Sequence, residues 1–116
     1  MKVAPALLVL LASAGSAHAL IGTLGEKGCA DAGFVATVGN QSYEPVPDVP
    51  KGWISMDVLL QVTFNVKKVM FGPISRGPLP VSFVRHEELP DVIKQWRIFA
   101  RRKGAGWTLS ECKPKA

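Results

Sequence analysis

His86-Glu87-Glu88, with Asp91 close behind, is the densest set of titratable groups in the chain. An imidazole beside paired carboxylates can divide general-acid and general-base roles, or offer ligands to a cation. A zinc site asks for more, usually four ligands, and His18 and His86 are the only histidines. The competing reading is a solvated loop that follows a strand and is ended by Pro90. One histidine with no second at a ligand spacing favours the loop. A small secreted enzyme or cation-binding protein using His86, Glu87 and Glu88 is therefore the alternative function, not the leading one.

Other chemistries find less support. There is no GxSxG, no P-loop and no dinucleotide glycine motif. Neither Ser55 nor Ser75 has a histidine at a motif spacing. The two cysteines form no CxxC pair suited to redox work. These absences point to a non-enzymatic binding or interaction module, with no catalytic residue, metal ligand or cofactor assigned.

A second constellation is basic. Arg97, Arg101, Arg102 and Lys103 fall together late in the chain, and Lys67 and Lys68 can join them if their strand lies alongside. Phe99 and Trp107 interleave aromatics, as on surfaces that bind an anionic polymer by stacking and charge. An ordinary charged face that guards an edge hairpin is the plainer reading. Arg97, Phe99, Arg101, Lys67 and Lys68 are the candidate contact residues. Trp53, in a proline-rich stretch, is a sixth, whereas Trp96 and Trp107 read as core residues. Asn40-Gln41-Ser42 matches a glycosylation triplet, but the short leader described next has a bacterial look, so the match is read as coincidental.

Residues 1–19, MKVAPALLVLLASAGSAHA, read as a secretory signal peptide: Lys2, an apolar run from Ala4 to Ala12, and the small-x-small site Ala17-His18-Ala19. Cleavage after Ala19 leaves a chain starting at Leu20, secreted or periplasmic. The apolar run is shorter than the roughly 20 residues that span a bilayer, so no transmembrane segment is expected. Whole-chain charge is +5, from 14 Lys+Arg against 9 Asp+Glu. Only Lys2 leaves with the leader, so the mature balance is 13 against 9, or +4. Export makes an envelope protein, an anionic envelope polymer or a lipid head group the expected partner, and disfavours nucleic acid.

Cys29 and Cys112 lie near opposite ends of the mature chain. In an oxidising compartment an isolated pair reads as one disulfide. Such a bond would close nearly the whole of a domain whose core is marginal for its size.

Strand periodicity supplies the rest. Val58, Leu60, Val62, Phe64 and Val66 alternate with more polar neighbours, a period of two with β-branched and aromatic enrichment. The phase then slips at Lys67-Lys68 before Val69 and Phe71, which predicts a β-bulge. Phe34, Ala36 and Val38 form one face of an earlier strand, broken at Gly39-Asn40, and residues 43–52 read as a proline-rich loop. Gly72 to Pro80 reads as a connector, Val81 to Arg85 as a short strand, and Leu89 to Lys94 as at most one helical turn. Gln95 to Arg101 places Trp96, Ile98 and Ala100 inward and Arg97, Phe99 and Arg101 outward. It forms a hairpin with the strand that starts at Trp107.

The expected fold is all-β: a small antiparallel barrel of five or six strands resembling an OB fold, with at most one short helix and one disulfide. The expected divisions are a leader (1–19), a flexible segment (20–28), a monomeric β-domain (29–112) and a tail (113–116).

Four stretches together carry a family resemblance. A cysteine-led entry (GCADAGFVATV) runs into a long strand ending VTFNVKKVMFGP, a shorter strand follows (PLPVSFV), and a late hairpin (QWRIFARRKGAGWTLSEC) closes near a second cysteine. Over residues 29–112 the chain resembles the OB barrel of the netrin module and the tissue inhibitors of metalloproteinases, which bacteria also export. Phe71 stands where that family usually has lysine. The inhibitors chelate an enzyme's zinc through an amino-terminal cysteine. Cys29 is internal here and the family's further cysteines are missing, so the resemblance transfers that mechanism to no residue of this chain.

Overall fold

A computed structural model describes residues 20–46 and 57–112. The leader, Trp53 with most of the proline-rich loop, and the tail 113–116 lie outside the described residues. Six strands form one sheet: β1 (Ile21–Leu24), β2 (Ala32–Pro45), β3 (Val58–Phe71), β4 (Gly77–Arg85), β5 (Gln95–Lys103) and β6 (Gly106–Leu109). The order is β1-β5-β2-β3-β4. β5 shares its far edge between β1, parallel along residues 95–98, and β6, antiparallel along 100–103. The protein is all-β, and its one helical turn among the described residues is the 3-10 segment Lys27–Cys29.

The alternation in β3 does what its period requires. Leu60, Val62, Phe64 and Val66 are buried and pack with Phe34, Ala36, Val81, Phe83, Trp96 and Ile98 into one core. The phase slip is a bulge: Val35 pairs with Lys68 and Ala36 with Val66, which leaves Lys67 without a partner on β2. Both lysines are thereby exposed. The extra residue also bends the strand.

Several boundaries differ from expectation. Residues 20–28 are not simply a flexible lead, because β1 adds to β5 there. Gly22 permits this: it faces Trp96, whose ring occupies the space that a side chain at position 22 would need. Gly39 does not break β2. It is accommodated at the last of three register shifts between β2 and β3, and the strand continues through residues 43–45, which were expected in the loop. β4 starts at Gly77, inside the expected connector. Pro78 and Pro80 are two apart and so lie on the same edge of the strand, the outer one, where no ladder needs their missing N–H.

The curled sheet brings β4 beside β6, where Phe83, Val84, Thr108 and Leu109 line one seam. No ladder joins β4 to β6, so the expected barrel is left open. Cys29 and Cys112 form the disulfide, with Cα atoms 5.5 Å apart. Around it, Glu26 N–H donates to the Ser110 carbonyl at 2.9 Å, and the Glu26 carboxylate accepts from Cys112 N–H at 2.8 Å.

Candidate functional site

The histidine–carboxylate cluster does not assemble. His86, Glu87 and Glu88 border a shallow cleft of about 240 Å³ with Tyr43 and Val58, while Asp91 lines a different one. Between them Leu89 dives into the core, 3% exposed. His86 Nδ1 lies 2.9 Å from Asp57 Oδ1, but the imidazole is 80% exposed. A pair so open to solvent contributes little. Among the described residues no three His, Cys, Asp or Glu side chains are placed to share a metal ion.

The cations fare differently. Arg97 pairs with Val35 of β2, and Val35 pairs with Lys68 of β3. Residues in register share a face, so Lys68 and Arg97 flank Val35 on the outer side of the sheet. Two strand spacings put their Cα atoms about 10 Å apart. Lys67, outward by alternation from the buried Val66, adjoins Lys68, which the bulge keeps on the outer face. Arg101 follows Arg97 on the same face of β5, about 13 Å along the strand, and its guanidinium donates to the Glu111 carbonyl at 3.5 Å. Lys67, Lys68, Arg97 and Arg101 are all exposed.

Two neighbours are committed elsewhere. The Arg102 guanidinium lies 5.2 Å from the ring centroid of Trp107, its cross-strand partner, and Arg102 N–H donates to the Asp31 carboxylate at 2.9 Å. Trp107 is half-buried and rests against the core as expected, while Trp96 is 3% exposed.

Phe99 requires a correction. It points to the outer face but is only 7% exposed, so it is no exposed contact. Gly33 sits between Phe99 on β5 and Phe71 on β3, and with no side chain there the Phe71 ring reaches across to stack on Phe99. Phe71 and Met70 supply exposed apolar surface at this end of β3, 36% and 39% accessible. Sequence reasoning missed both, although two apolar residues in succession at the end of a strand, Met70-Phe71, were the available signal.

A further cleft of about 410 Å³ lies between β2 at Thr37–Gln41 and the segment Leu89–Lys94. Gln41 Nε2 donates to the Leu89 carbonyl at 3.1 Å, and Leu89 N–H donates to Gln41 Oε1 at 2.9 Å. No helix among the described residues is long and apolar enough to cross a membrane. In comparisons with known proteins, no family model, no curated protein and no solved structure matches this chain.

Proposed function

We propose that the chain is an exported, non-enzymatic binding domain whose outer face engages an anionic envelope polymer or lipid head group. The observation that carries this reading is the register Lys68–Val35–Arg97, which sets cations from two strands on one face. Lys67 and Arg101 extend the cationic row. The Phe71–Phe99 stack adds an apolar ledge beside it. The disulfide and the apolar leader support export.

Magnitudes indicate how the two parts divide the work. A basic residue near an anionic surface contributes about 1 kcal/mol, so four give about 4 kcal/mol, equivalent to a Kd of roughly 1 mM. Charge alone attracts and orients. Tighter binding draws on apolar contact at Phe71 and Met70.

The test is binding of the purified exported protein to anionic vesicles, neutral vesicles and an anionic glycan across a salt series. Binding that weakens as salt rises, and that falls roughly thirtyfold in a Lys68→Ala/Arg97→Ala variant, supports the reading. Equal binding to neutral and anionic vesicles at every salt concentration overturns it. Vesicle and glycan arms distinguish head group from polymer.

A further inference from the structure

Among the described residues, the backbone of β2 has a hydrogen-bonding edge that no strand pairs beyond Ala36. Ser110 N–H donates to the Phe99 carbonyl at 2.9 Å, so the Phe99 peptide faces away from β2. Antiparallel pairing alternates, which assigns Ala100, Ile98 and Trp96 to β2, opposite Ala32, Phe34 and Ala36. The next group of that series on β2 is at Val38. The β2–β5 ladder stops at Ala36, and among the described residues no strand stands opposite Val38. Lys94 would face it if β5 began earlier, but a turn closed by Ile93 N–H to the Pro90 carbonyl at 3.3 Å leads the chain away.

Gln41, in register with the buried Val62, holds the opposite wall of the cleft through its side chain alone. Its amide exchanges N–H and C=O bonds with Leu89 and leaves the β2 backbone out of the contact. The wall at Leu89 is therefore held off by the length of a side chain, and the buried Leu89 fixes it there. The resulting 410 Å³ cleft falls within the range of ligand sites.

Edge strands left open usually carry charge or proline against unwanted pairing. β4 does so with Pro78 and Pro80. The open stretch of β2, Thr37 to Ser42, has neither. Only the bulge at Gly39 interrupts it, which keeps any added ladder short and centred on Val38.

From these observations we infer that the Val38 cleft docks an extended peptide segment of another protein, added as a short strand to β2. The Val38 N–H and C=O, facing out of a strand edge, are matched by an extended backbone, which offers the same pair of groups at alternate residues. The opposite wall carries one charge of each sign, Asp91 and Lys94, so recognition there is by main chain with no demand for net charge. This separates the cleft from the cationic face.

A random-peptide phage library panned on the purified full chain tests the inference. Selected peptides are resynthesised with single N-methyl groups stepped along the sequence, and binding is read by affinity and by amide hydrogen exchange. The expected result is that the Val38 amide slows in exchange when peptide binds. N-methylation at alternate peptide positions weakens binding by about fivefold or more, the loss of one net hydrogen bond. The intervening positions tolerate it, and Lys68→Ala/Arg97→Ala leaves peptide affinity unchanged. The inference is overturned by no enrichment over a control protein, by indifference to N-methylation, or by unchanged exchange at Val38. Concentration-dependent dimers that protect Val38 without peptide would also overturn it, by showing a second copy as the occupant.

Discussion

Phe71 and Phe99 lie two strands apart yet stack with ring centroids 6.4 Å from each other and planes 25° apart, because Gly33 between them has no side chain. A β-carbon at position 33 would come within 2.5 Å of the edge of the Phe71 ring. The glycine and the aromatic pair form one packing unit. Gly33→Ala is expected to destabilise by about 1–3 kcal/mol through overpacking, and Phe71→Ala by about 1–2 kcal/mol. In the double variant the clash has gone, so the two costs are expected to fall short of additive. Urea unfolding of the three proteins measures the coupling.

Ser110 is fully buried, and its hydroxyl oxygen has no partner among the described residues. Its backbone is fully engaged, donating to Phe99 and accepting from Glu26. An unpaired buried hydroxyl costs about 1–3 kcal/mol. Ser110→Ala is therefore expected to raise stability by about 1 kcal/mol, or about 4–8 °C in Tm for a domain of this size. A lower Tm would show that the hydroxyl is paired in solution.

The Gln41 amide serves two backbone groups of Leu89, one as donor and one as acceptor. Gln41→Ala leaves both unpaired and is expected to cost about 2 kcal/mol. Gln41→Glu keeps an acceptor for the Leu89 N–H and loses the donor to its carbonyl, so it should fall between. Chemical denaturation ranks the three proteins, and equal stability of all three would mean that the clasp contributes nothing.

Breaking Cys29–Cys112 releases a loop of 83 residues' separation. The chain-entropy relation gives about 4.5 kcal/mol for a loop of that length, comparable with the whole stability of a small domain. A Cys29→Ala/Cys112→Ala variant is expected to unfold at markedly lower urea and to be largely unfolded on warming. The check is a urea titration with and without reductant: reductant should shift the midpoint of the parent and leave that of the variant unmoved.

Local patterns were legible where a side chain's fate depends on its own strand. The period of two from Val58 to Val66, its slip at Lys67 and the isolated cysteine pair all gave readings that the structure bears out. Long-range relationships were not. Phe99 follows the alternation and faces outward, but its exposure is decided by Phe71, far along the chain and two strands away. β1 is four residues, one of them glycine, paired with a strand more than seventy positions later, so its own sequence holds little trace of it. Prolines 78 and 80 read as a connector because sequence does not say which edge of a strand is open. In the candidate site, the outward direction of Lys67, Lys68, Arg97 and Arg101 was readable, and their assembly required the register of β2 between them. The Gln41–Leu89 clasp left no sequence signal: Gln41 was noticed only within a glycosylation triplet.

Because the disulfide joins the turn after β1 to the segment after β6, the polypeptide from Cys29 to Cys112 is a covalent ring. A protease that cuts the exposed Gly104–Ala105 turn of the β5–β6 hairpin opens this ring without dividing the molecule. The two new ends stay tethered through sulfur and through the rest of the sheet, so β6 is held at high local concentration beside β5. One cut produces a nicked protein of unchanged mass apart from one added water. Release of a fragment takes a second cut within the ring or loss of the disulfide, which gives the domain tolerance to single scission.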